Sequence, residues 1–166
     1  MAEADSYCAI ADTEARAQMG AYGAGTTPTS TQVLSFAEQR TGEIYSWMRE
    51  VIGTDAPGPA NYSTTIDTGT DAGLALNDVV VMANAIGAAM DALEAAGAGS
   101  SPARSERIVE LGTAYSNSKD AVQAAAKAYV GYSERAATHH DEGRVTVDTF
   151  TSRTQEGFAV DGSTEF

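Results

Sequence analysis

The chain has 166 residues, enough for one domain with a modest core, and carries a formal net charge of −13 with a sequence pI of about 4.3. Nucleic-acid binding by charge is disfavoured, because a duplex is a polyanion whose counterions are displaced by Lys and Arg. A single cysteine, Cys8, excludes a disulfide-stapled fold.

Hydrophobic residues make up 43% of the chain, but much of this is alanine, with one Trp, four Phe and seven Tyr as large anchors. Such a core is thin, and its helices must approach closely on small side chains. Lys119 and Lys127 are the only lysines. An acidic, lysine-poor surface suits a protein kept soluble in concentrated salt, where screening removes self-repulsion; an ordinary acidic protein of a GC-rich genome fits equally. The start, MAEADSYCAIADTEAR, is acidic where a signal peptide is basic, and no apolar run approaches the length of a membrane span. The expectation is a soluble protein with no membrane partner.

In chain order, residues 5–19 form a short helix that ends at Gly20, with Ile10 and Ala11 on one side, and a glycine-rich hinge follows. PTSTQVLSFAEQRTGEIYSWMREVIG then has a start and a stop. Thr29 is an N-cap, Gln32 completes a capping box, and Gly53 ends the helix. Between them Val33, Phe36, Arg40, Ile44, Trp47 or Met48, and Val51 recur at three- and four-residue steps. Residues 54–73, with a Pro-Gly-Pro turn, read as a long loop that is either functional or contacts a partner.

The second long helix runs from about Leu74 to Ala96 with a stripe of Val79, Met82, Ala83, Ile86, Met90 and Leu93. Val80 and Val81 widen its apolar surface, and Ala83 with Gly87 forms a small pair that admits a close neighbour. Ser101 as N-cap and Pro102 at the first position open the third, with Ile108, Leu111, Tyr115, Ser118, Val122, Ala125 and Tyr129 on one face. The fold class expected is all-α: a short N-terminal helix and three longer ones in a small bundle over residues 1–137. The expected core is Val33, Phe36, Ile44, Met48, Val79, Ile86, Met90, Leu93, Ile108, Leu111, Tyr115 and Val122. Residues 138–166 read as an extended arm with a short strand at Arg144 to Phe150, awaiting an acceptor.

The search for chemistry is negative. His139, His140, Asp141 and Glu142 are adjacent and point apart, without a second ligand cluster or a Glu-x-x-His motif. Cys8 lies near a terminus with no local histidine, there is no Gly-x-Ser-x-Gly elbow, and the AYGAG and AGAG glycines lack a phosphate-loop lysine. Asp78, Asp91 and Glu94 read as a solvated helix edge rather than an acid/base pair. The expectation is a non-enzymatic interaction protein without cofactor or metal, suited to a subunit of a ring or tube.

The order of elements resembles the head–tail connector (adaptor) family of tailed viruses. SYCAIADTEAR is similar to that family's first helix, with Tyr7 near the start and Asp12 after it. Pro28, Thr29, Val33 and Ile44 match its second helix, and Asn84, Ala88, Glu94, Ser105 and Tyr115 fall at matching places in the helix, glycine-rich break and helix that follow. The resemblance covers about residues 6–130; the 54–73 loop and the long arm depart from it. It implies a structural virion protein of the neck, made in the host cytoplasm, in a ring usually of twelve copies. Such a ring docks on the portal, continues the DNA channel without binding DNA specifically, and meets the next neck or tail-terminator protein. It also implies that the arm, through Val145, Val147, Phe150, Phe158, Val160 and Phe166, reaches the portal or a neighbour. With the lysine-poor composition, a virus of a salt-loving host is expected. A tail-completion protein of the same virion, and a non-viral alanine-rich helical hairpin, are the alternatives.

Overall fold

The computed structural model describes residues 6–18, 20–58, 68–97 and 101–156, with side chains described as far as residue 131 apart from Asp55. Phe158, Val160 and Phe166, and residues 59–67 of the expected loop, lie outside the described residues. The chain divides into two compact units, Met1–Val130 and Gly131–Phe166. Among the described residues there are four α-helices and no strand, so the fold is all-α.

Helix α1 (Ile10–Ala17) is shorter than expected: the Ala9 N–H donates to Asp12 Oδ2 at its start, and Gln18 closes it in the left-handed region at φ 54°. Helix α2 (Ser30–Ile52) begins with the expected capping box. The Gln32 N–H donates to Thr29 Oγ1 and the Thr29 N–H to Gln32 Oε1 at 2.9 Å. Gly53, at φ 78°, ends α2 and opens a 3₁₀ turn, Gly53–Asp55.

Helix α3 (Asp71–Ala95) starts three residues before the expected Leu74, because Thr70 Oγ1 accepts the Gly73 N–H at 3.1 Å and Asp71 suits the positive first turn. Its length and mean hydropathy, 25 residues and 1.5, are enough for a membrane span, which corrects the expectation that no run came close. Just over half of that window, 56%, is buried within the bundle.

Helix α4 (Pro102–Glu156) opens where expected and continues past Tyr129. The strand expected over Arg144 to Phe150 is therefore a correction: these residues are helical. Alternation of Val145 and Val147 favours a strand only where a partner strand can satisfy its backbone, whereas a helix satisfies its own.

In the first unit α3 lies at the centre, against α1 and α2. One core cluster joins Ile44 and Met48 of α2, Leu76, Val80 and Ala83 of α3, and Val122 and Ala126 of α4, with Tyr7 over it. Another joins Val33, Ile86, Leu93, Leu111 and Tyr115 with Ala17 and Tyr22. Fully burying a side chain such as Ile44 or Met48 contributes roughly 1.5–3 kcal/mol. Of the expected core, Val33, Ile44, Met48, Ile86, Leu93, Leu111, Tyr115 and Val122 are buried. Phe36, Val79, Met90 and Ile108 are half-buried at its margin. The α3 stripe is rotated from expectation: Leu76 and Val80 are inside and Met82 is outside. With Val79, Val80, Val81 and Met82 in succession, periodicity cannot choose a face; the surrounding helices do.

Candidate interaction faces

The buried Asn84 and Thr41 are occupied in holding the helices together. Asn84, fully buried on α3, accepts from Ser6 Oγ (3.0 Å) and the Cys8 N–H (3.1 Å) through Oδ1. Its Nδ2 donates to the Ala37 carbonyl and to Thr41 Oγ1, both at 3.0 Å. Thr41 also accepts the Tyr7 N–H, and the Tyr7 hydroxyl donates to the Pro57 carbonyl at 2.9 Å. Residues 6–9 are thus a strap pinned across α2 and α3. Cys8, expected near a loose terminus, is buried, and burial pushes its thiol pKa up. An inert structural thiol results.

Asp91 is a further correction. Expected on a solvated edge, its carboxylate is only 14% exposed and takes a bidentate pair from Arg40, at 2.7 Å from Nε and 2.6 Å from Nη2. This explains an arginine on the apolar stripe of α2. Arg40 Nη1 reaches Glu43, and the guanidinium lies 4.9 Å from the centroid of the Tyr115 ring. Tyr115 donates to Glu43 at 2.7 Å and packs against Trp47 with ring centroids 5.2 Å apart. Desolvation raises the Tyr115 pKa, the Glu43 contact adding to it, and the hydrogen bonds that Arg40 donates to Asp91 hold the guanidinium charged. The expected small pair on α3 acts here: Gly87 is where Tyr115 and Arg40 approach the helix.

Arg104 and Arg107, one turn apart on α4, serve the ends of two other helices. Arg104 Nη1 donates to the Ala96 carbonyl (2.8 Å) and Arg107 Nη2 to the Arg16 carbonyl (2.9 Å). Both add positive charge where the helix dipole is negative.

What remains open to a partner is the outside. Between α1 and α3 runs an open groove of about 600 Å³ with Val81, Met82 and Ala85 among its lining and Asp12, Arg16 and Asp78 around them. Met82 is 42% exposed and Leu74, further along α3, 49%. On α4, Val109 is 69% exposed beside Glu106 and Glu110. Among the described residues no three His, Cys, Asp or Glu side chains converge on a metal position. His139, His140, Asp141 and Glu142 lie within α4, as do Val145, Val147 and Phe150, beyond the described side chains. Of the residues carrying the family resemblance, Asn84, Ala88 and Tyr115 are buried while Glu94 and Ser105 are exposed. Sequence reading missed the Asn84 strap and the Arg40–Asp91 pair; an arginine inside an apolar stripe was the available signal for the second.

No family model, no curated protein and no solved structure matches this chain.

Proposed function

We propose that the chain is a structural, ring-forming head–tail connector of a tailed virion, docking on the portal and offering its other face to the next neck or tail protein. The observation that carries an assembly role is the contrast between inside and outside. The buried Asn84 and Thr41 and the half-buried Arg40 and Asp91 have partners within the chain, while Leu74, Met82 and Val109 stand exposed. The connector assignment within that class rests on the order of helices and the residues from Tyr7 to Tyr115 quoted above.

Electrostatics support passage of DNA rather than its capture. Each lysine or arginine on a phosphate adds salt-dependent affinity and so friction. The chain has 23 acidic against 10 basic residues, and Arg104 and Arg107 bond to carbonyls of their own chain. Part of the acidic surplus faces the lumen in this reading, and high salt relieves its self-repulsion.

Co-sedimentation with the portal ring of the same genome, in low and in molar salt, tests it. The expected result is portal binding that strengthens as salt rises; a chain that stays free of the portal at every salt concentration overturns the proposal.

A further inference from the structure

Resting on the ring reading, we propose that each copy packs the outer face of its α3, with the adjoining end of α1, onto the outer face of the next copy's α4. The interface is therefore head-to-tail, between two different faces of the bundle. At about 100° per residue, Leu74, Asp78 and Met82 share one side of α3, opposite the Val80, Ala83 and Gly87 side that meets the bundle. On α4, Val109, Ala124 and Lys127 lie on the side away from Leu111, Tyr115 and Val122. The first face carries large exposed hydrophobes and the second exposed small residues, Ala121, Ala124 and Ala128, that leave room for them. Two dissimilar faces generate rings or filaments, whereas a closed dimer needs one face that matches itself.

The occupant is a second copy because the charges match in order. Helices α3 and α4 run antiparallel: Met90 is level with Gly112, Gly87 with Tyr115 and Val80 with Val122. Asp78 is then level with Ala124, next to Lys127, and Arg16 lies near Arg107, which already pairs with Glu110 at 2.9 Å and leaves Glu106 on the outer side. Copies related by rotation about an axis along the bundle therefore bring Arg16 to Glu106 and Asp78 to Lys127. Neither Arg16 nor Lys127 has a carboxylate partner among the described residues. Asp120, level with Met82, gains nothing from this arrangement.

The test uses two full-length surface variants, Met82→Arg and Ala124→Arg, each checked for unchanged helix content by circular dichroism. Each blocks one face and spares the other. Mass photometry or native mass spectrometry in molar salt, with portal added to nucleate assembly, then reads the oligomers. Wild type is expected to give rings. Each variant alone is expected to run at the 17.2 kDa chain mass, and their equimolar mixture at twice that mass and no larger. Rings from either variant overturn the assignment of faces while leaving the ring reading intact. A wild type that stops at a dimer, or never assembles, overturns both.

Discussion

Replacing Asn84 by alanine should loosen the strap of residues 6–9 and destabilise the bundle together. The carboxamide makes four hydrogen bonds of 3.0–3.1 Å from a fully buried site. A hydrogen bond contributes about 1 kcal/mol net, and a buried group left unpaired costs about 1–3 kcal/mol. All four partners keep a second contact: Ser6 Oγ still donates to the Cys8 carbonyl, Thr41 Oγ1 still accepts the Tyr7 N–H, and the Ala37 carbonyl still accepts from Thr41 Oγ1. The Cys8 N–H keeps a 3.3 Å contact with Ser6 Oγ, which is itself no longer anchored. The summed loss is therefore about 2–4 kcal/mol, a large part of the 5–15 kcal/mol available to a domain. Urea unfolding followed by circular dichroism measures it. The strap itself is read at Cys8, 4% exposed in the folded chain, by its rate of reaction with a disulfide reagent under native conditions. The rate should rise at least about tenfold in the variant, as expected when a local opening becomes easier by more than about 1.4 kcal/mol. A stability change under about 0.5 kcal/mol with an unreactive Cys8 would refute the role given to Asn84.

Asp91→Ala should cost about 2–4 kcal/mol in urea unfolding, since it leaves the Arg40 guanidinium, 16% exposed, with Glu43 alone; a loss under 1 kcal/mol contradicts that estimate (about 1 being the ceiling for exposed pairs). Gly87→Ala should cost about 1–3 kcal/mol, because the added methyl would sit 2.7 Å from the Tyr115 ring and 2.9 Å from Arg40, whose side chain Asp91 holds in place; unchanged thermal stability counts against the close approach. The Tyr7 and Tyr115 pKa values are both raised by burial above the ordinary value of about 10. The sign follows from that: a raised pKa means stability that is full below pH 10 or so and is lost as pH climbs beyond it. Alkaline unfolding of wild type should therefore be steeper with pH than that of Tyr115→Phe, and identical slopes would contradict it.

What the sequence made legible was local. The α2 boundaries follow from Thr29, Gln32 and Gly53, residues that act on their immediate neighbours, and Pro102 marks the start of α4 equally well. The orientation of α3 was not legible, since Leu76, Val79, Val80, Val81 and Met82 are apolar nearly all round and only the helices beside them choose a face. Pairings across long stretches were also hidden: Arg40 with Asp91 is separated by 51 residues, and Cys8 with Asn84 by 76. Each is a charge or a polar group placed on a helix for a partner that only the tertiary fold supplies. The Arg144 to Phe150 segment misled because alternation of β-branched residues says nothing about whether a partner strand exists.

The central claim concerns assembly, and the most direct measurement is the number of chains bound per portal ring, by native mass spectrometry of the purified complex in molar salt. About a dozen copies per portal, falling away in low salt, is the result the connector account predicts. A portal that binds none, beside a chain that remains monomeric or dimeric at every salt concentration, would contradict it.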